Sequence, residues 1–170
     1  MTVLTEENVS DVEELLRMSA ARGVGHVLTL LSDYGPRRGR GRDAAPAAPV
    51  SQMLLGLWKK YPHWRFWSEY VERVDDFLEG RPMPACGAGL QSFNVDHIGN
   101  VSVCIEKLDR PVGNIRGEPL SRLHEKLVAA RDQVEHCQEC WTACRGFAQL
   151  AGKGGTLRGW LEMAARMRSQ

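Results

Sequence analysis

The sequence has no cysteine before Cys86 and none after Cys144. A disulfide framework spread through the fold is therefore excluded, and the thiol chemistry of the chain is confined to one stretch. Long apolar runs are equally scarce, and none approaches the roughly twenty residues that a membrane helix needs. The opening Met1-Thr2-Val3-Leu4-Thr5-Glu6-Glu7 has neither the basic start nor the apolar stretch of a secretory leader, so the expected compartment is the cytoplasm. Neither sign of charge is in excess. With 22 Lys and Arg against 21 Asp and Glu, a net charge of +1 supplies no global field to gather nucleic acid or an anionic membrane, and neither partner is expected. What remains is a globular composition: 170 residues, 43% of them apolar, can bury one ordinary core, or one core plus a small metal-stapled module.

The cysteines present are Cys86, Cys104, Cys137, Cys140 and Cys144. Five is odd for disulfides, and a reducing compartment keeps thiols free, so this grouping reads as a metal site. Ser92-Phe93-Asn94-Val95-Asp96 and Val101-Ser102-Val103-Cys104 alternate apolar and polar residues around His97-Ile98-Gly99-Asn100, the pattern of two strands joined by a tight turn. The predicted hairpin brings Cys86, entering after Pro82 and Pro84, near Cys104 at the end of the second strand. Cys137 and Cys140 have the spacing with which a turn or helix start presents two sulfurs to one metal. Among the histidines, His136 adjoins Cys137 and is the better candidate ligand, His124 is explained by packing beside a leucine stripe, and His63 is expected at the surface.

These segments resemble a known family. Cys86-Gly87-Ala88-Gly89 followed by Asn94 through Cys104 is similar to the opening of the SPASM or twitch domain that follows the barrel of many radical S-adenosylmethionine enzymes. Val112-Gly113-Asn114-Ile115 with Leu120 and Leu123 resembles the segment between the two cysteine groups, and Cys137-Gln138-Glu139-Cys140-Trp141-Thr142-Ala143-Cys144-Arg145-Gly146 resembles the closing group. The resemblance implies an auxiliary 4Fe-4S cluster held by cysteine thiolates. The full SPASM pattern has seven cysteines and two clusters. Five cysteines suit one cluster in a twitch-like arrangement, with Cys86, Cys104 and two of Cys137, Cys140 and Cys144 as ligands. The family's three-cysteine loop for the catalytic cluster is absent, so the chain resembles only the C-terminal part of such an enzyme. S-adenosylmethionine is then expected as a cofactor only if the missing N-terminal core is supplied, and catalytic residues are not assigned.

In chain order, Thr2-Val3-Leu4-Thr5 reads as a short strand. Ser10 and Glu13 read as a capping box, and residues 11 to 22, with Val12, Leu15, Leu16 and Ala20 at helical spacing, read as a helix stopped by Gly23. Val27-Leu28-Thr29-Leu30-Leu31 reads as a buried parallel strand. By resemblance this strand-helix-strand unit is a remnant of a partial (β/α)6 barrel. Asp33 to Pro49, with Arg37, Arg38, Arg40 and Arg42, reads as a solvated connector. Two apolar stripes follow, Val50, Met53, Leu54, Leu57, Trp58 and Tyr61, then Trp67, Tyr70, Val71, Val74, Phe77 and Leu78 up to Gly80, predicting two packed core helices. Glu118-Pro119 opens a helix with Leu120, Leu123, Leu127 and Val128 inward, and Thr156, Leu157, Trp160, Leu161, Ala164 and Ala165 mark a closing amphipathic helix. The expected fold class is α/β: a barrel remnant with packing helices over 1–80, a small α+β iron-sulfur domain with a β-hairpin over 81–150, and a C-terminal helix over 151–170.

Two classes of function fit these residues. One is part of a radical S-adenosylmethionine oxidoreductase or maturase, whose auxiliary cluster supports radical modification of a peptide or small-molecule substrate and whose partner is the missing N-terminal core. The other is a non-catalytic module in which four thiolates bind one zinc and staple the fold.

Overall fold

The computed structural model describes residues 1–32, 44–152 and 155–168, so most of the arginine-bearing connector lies outside the described residues. Thr2–Val3 forms β1 and Leu28–Thr29 forms β2, paired parallel with Thr2 opposite Leu28. A parallel pair needs a crossover, and α1, Val12–Ala21, supplies it. Val12 and Leu16 are fully buried beneath it, and the helix stops at Gly23, whose φ of +63° suits a residue without Cβ. The predicted strand-helix-strand unit is present, but its predicted capping box is not. Asp11 takes the N-cap without a side-chain bond, while Glu13 accepts from Lys60 Nζ at 2.5 Å and the Tyr61 hydroxyl at 3.0 Å. A tertiary partner has claimed the carboxylate.

The first apolar stripe becomes α2, Ser51–Lys60, burying Leu54, Leu57 and Trp58 and leaving Met53 exposed. The second stripe, predicted as one helix, is split at Arg73 into α3, Ser68–Glu72, and α4, Val74–Leu78. The split sets buried Asp75 beneath the start of α2, where its carboxylate accepts from the amides of Val50 at 2.7 Å and Ser51 at 3.1 Å and from the Ser51 hydroxyl. One helix thus caps another. His63, expected at the surface, is half-buried and meets Ser19 Oγ at 2.9 Å. Leu4, Leu16, Trp64, Trp67, Tyr70 and Phe77 lie at the centre of this first core.

The predicted hairpin is β3, Asn94–Val95, and β4, Asn100–Ser102, antiparallel with Asn94 opposite Ser102. At its turn Gly99 has φ +90°, and a Cβ there would stand 2.9 Å from Asn114 Oδ1. A third strand, β5, Gly113–Asn114, pairs antiparallel with β4. In α5, Leu120–Ala129, Leu123 and Leu127 are fully buried, but Leu120 and Val128, expected inward, are exposed. Its narrower buried face joins Val101, Val103, Val134 and Cys86 in a second core.

The chain closes with α6, Ala143–Ala151, and α7, Leu157–Arg168. Trp141, Ala143 and Leu150 belong to the first core rather than the second. The orientation of α7 departs from its apolar stripe: Leu157 and Leu161 are 77% and 63% exposed, while Gly159 and Arg166 are buried. Arg166 stacks on Trp58 with its guanidinium 3.4 Å from the ring centroid and donates to the carbonyls of Trp58, Tyr61 and Trp64. The carbonyls at the end of α2 need donors, and satisfying them sets the rotation of α7. The result is a mixed α/β chain of helices and small sheets. No helix among the described residues is long and apolar enough to cross a membrane.

Candidate metal centre

Three separate segments deliver the cysteines. The first enters through Met83, whose amide donates to Gln138 Oε1 at 2.6 Å and whose carbonyl accepts from Gln138 Nε2 at 3.2 Å. One side-chain amide thereby fastens the approach to Cys86 onto the closing cysteine segment. Cys104 stands just beyond β4, and the Glu106 amide points at its sulfur at 3.4 Å, the kind of donor a thiolate accepts. The third segment is set by Trp141, which follows Cys140 and is anchored in the first core.

Cys86, Cys104, Cys140 and Cys144 line one cavity of about 200 Å³, together with Glu106, Thr142 and Arg145. Cys86 and Cys140 are buried, Cys104 and Cys137 half-buried and Cys144 exposed. Cys137 does not line the cavity, but it packs on the second core with Cys104 and lies near enough to act on its neighbours. Burial, with the nearby charges of Cys86, Glu106 and Cys137, pushes the Cys104 thiol up. Burial likewise pushes Cys140 up to about 11, reinforced by Cys104 and Cys137 and opposed by Arg145. Four of the five cysteines thus share one cavity, with Cys144 on its solvent side, while Cys137 stands outside its wall.

Thiols this buried resist ionisation unless something replaces the lost water, and a bound metal does so by taking the proton's place. Local dipoles favour the same state: Thr142 caps α6 by accepting from the Arg145 amide at 3.4 Å, and the first turn of that helix faces the cavity. Among the described residues no three His, Cys, Asp or Glu side chains stand in a geometry that holds a metal ion. A tetrahedral zinc with sulfur ligands at 2.3 Å would draw the sulfurs to about 3.8 Å from one another. His136 and His124 are both exposed and neither lines the cavity, so His124 is not packed as expected.

Arg145 and Glu106 are the site residues that spacing did not single out. Both are buried charges in the wall of a thiol cavity, and Ser32, just past β2, donates to Glu106 Oε1 at 3.0 Å. Thr29 of β2 also accepts from the Ala143 amide at 2.9 Å, so the C-terminal end of the parallel strand abuts the cysteine segment. A charged residue directly after Cys144 was the available signal for Arg145. No family model, curated protein or solved structure matches the chain.

Proposed function

We propose that the chain is an iron-sulfur module of the radical S-adenosylmethionine type, holding one auxiliary 4Fe-4S cluster through the four cysteines that line the cavity, Cys86, Cys104, Cys140 and Cys144. The observation that supports this most is the convergence of three chain segments, each with its own anchor, on one thiol-lined cavity. With a thiolate on each of its four irons, the cluster would supply one-electron chemistry. The protein's own part is to bring thiols from three segments to one cavity, keep water from the buried pair Cys86 and Cys140, and present the site beside the end of β2.

In the complete enzyme this module would support radical modification of a substrate, possible classes being a peptide or a small molecule, with S-adenosylmethionine bound by a separate N-terminal core. The chain alone should not cleave S-adenosylmethionine, because the sequence has no three-cysteine loop. Anaerobic reconstitution with iron and sulfide, followed by visible absorption and assays of both elements, tests the reading. A brown protein with about four irons per chain is expected. Colourless protein retaining one zinc would replace it with the structural-module reading.

A further inference from the structure

Arg145 is a buried cation with no carboxylate partner among the described residues, only 7% exposed. Its Nη1 donates to the Cys140 carbonyl at 2.7 Å and lies 4.0 Å from the Cys140 sulfur. Its Nη2 donates to the Pro84 carbonyl at 2.6 Å, and its Nε to Gln149 Oε1 at 3.0 Å. Gln149 in turn donates to the Ala85 carbonyl at 2.8 Å, and the guanidinium lies 5.8 Å from the Trp141 ring centroid. Every acceptor in this set is neutral. A guanidinium stays charged, and a charge taken out of water is ordinarily matched by an opposite one. The charge faces a cavity walled by thiols, with the Glu106 carboxylate in the same wall.

We infer that Arg145 is the counter-ion and positioning residue of the thiolate site, its charge set against thiolates ionised around a net-anionic cluster. This rests on the cluster reading above. Two consequences follow from the geometry. The planar fork ties the Pro84–Ala85 approach of Cys86 to the Cys140 carbonyl, fixing two ligand segments at their separation before any metal arrives. The fixed positive charge beside the Cys140 sulfur opposes the charge added on reduction less than a neutral wall would, so it favours the reduced cluster.

The test compares the parent chain with Arg145→Met and Arg145→Lys after anaerobic loading with iron and sulfide, reading iron per chain and midpoint potential by redox titration. Arg145→Met should lower the reduced-to-oxidised ratio at fixed potential by about tenfold, or about 59 mV for a one-electron couple. Arg145→Lys should keep the potential nearer the parent's. If Arg145→Met takes up no iron, loading of Arg145→Lys but not Met supports the counter-ion, and failure of both overturns it. An unchanged potential in Arg145→Met, or equal shifts in both variants, also overturns it. A parent that takes up no cluster defeats the site reading itself, a failure that appears before any variant is compared.

Discussion

Tyr70 and Trp141 each donate a hydrogen bond to the other's main-chain carbonyl, the phenol at 3.0 Å and the indole at 2.9 Å, with their rings stacked at 5.5 Å between centroids. Both side chains are almost fully buried, and Trp141 is the residue after Cys140. The position of one candidate ligand is thus fixed by a core helix about seventy residues away in sequence. Tyr70→Phe keeps the ring and leaves the buried Trp141 carbonyl without its donor. The expected cost is about 1–2 kcal/mol in denaturant unfolding of the metal-free chain, with a lower iron content after loading. An unchanged unfolding midpoint would show that the reciprocal pair contributes nothing.

Gly146 lies against the same tyrosine. A Cβ at that position would stand 2.4 Å from Tyr70 Cδ2, so even alanine must push α6 and its Cys144 away from α3. Gly146→Ala should destabilise by about 1–3 kcal/mol through overpacking, although alanine is the better helix former. A thermal scan decides it, since a raised midpoint would mean that the helix has room to move.

The N-terminal sheet carries a pH dependence. Ser19 donates its one hydroxyl proton to the Leu16 carbonyl at 2.9 Å, so it accepts from His26 Nδ1 at 3.1 Å and His63 Nε2 at 2.9 Å. His26 Nε2 is left to accept from Thr2 Oγ1 at 3.2 Å, which requires a neutral ring. Burial first, then the N-terminal charge and His63, hold its pKa below the ordinary 6.5. The unfolded chain therefore takes up this proton before the folded one does. The contribution is complete above about pH 6.5 and is lost as pH falls through the depressed value. Urea midpoints should fall as the pH is lowered from neutral, and His26→Asn should flatten that slope. A slope unchanged by the substitution would assign the effect to other groups.

Arg166 provides a second structural test. Burial pushes its pKa down to about 10, and its three carbonyl partners lie at the end of α2 and just beyond. Arg166→Met retains much of the stacking volume but strands those acceptors, at an expected cost of about 2–3 kcal/mol. Faster proteolysis within 157–168 should accompany it. Equal protease resistance would show that α7 is held by other contacts.

Arg166 also shows where the sequence stops being legible. The periodicity of α7 was plain, but its facing was not, because a cation that caps a neighbouring helix outweighed an apolar stripe in setting the rotation. The break at Arg73 was hidden for a similar reason: the stripe continues through it, and only the three-dimensional need of α2 for an N-terminal acceptor brings Asp75 inward. Local signals fared better where backbone chemistry is decisive. Gly23 ends α1, Gly99 turns the hairpin, and the β-branched segments at Thr2 and Val27 mark where the parallel pair forms. The cysteines were legible as a group, and the cavity now separates Cys137 from the others. Arg145 and Glu106 were not legible, because nothing in their spacing reveals that both charges are buried in one wall.

The most direct measurement of the central proposal is iron per chain in the five single Cys→Ala variants after identical anaerobic loading. Cys86→Ala, Cys104→Ala, Cys140→Ala and Cys144→Ala should each lose most of the cluster. For Cys104→Ala, which removes the link between hairpin and closing segment, soluble yield should fall as well, because metal binding in such a site is also folding energy. Cys137→Ala should retain parental iron, since a cluster of this kind takes four protein thiolates and this is the one cysteine that does not line the cavity. Five equally damaging replacements, or a Cys137→Ala chain as poor in iron as Cys104→Ala, would contradict the four-ligand account.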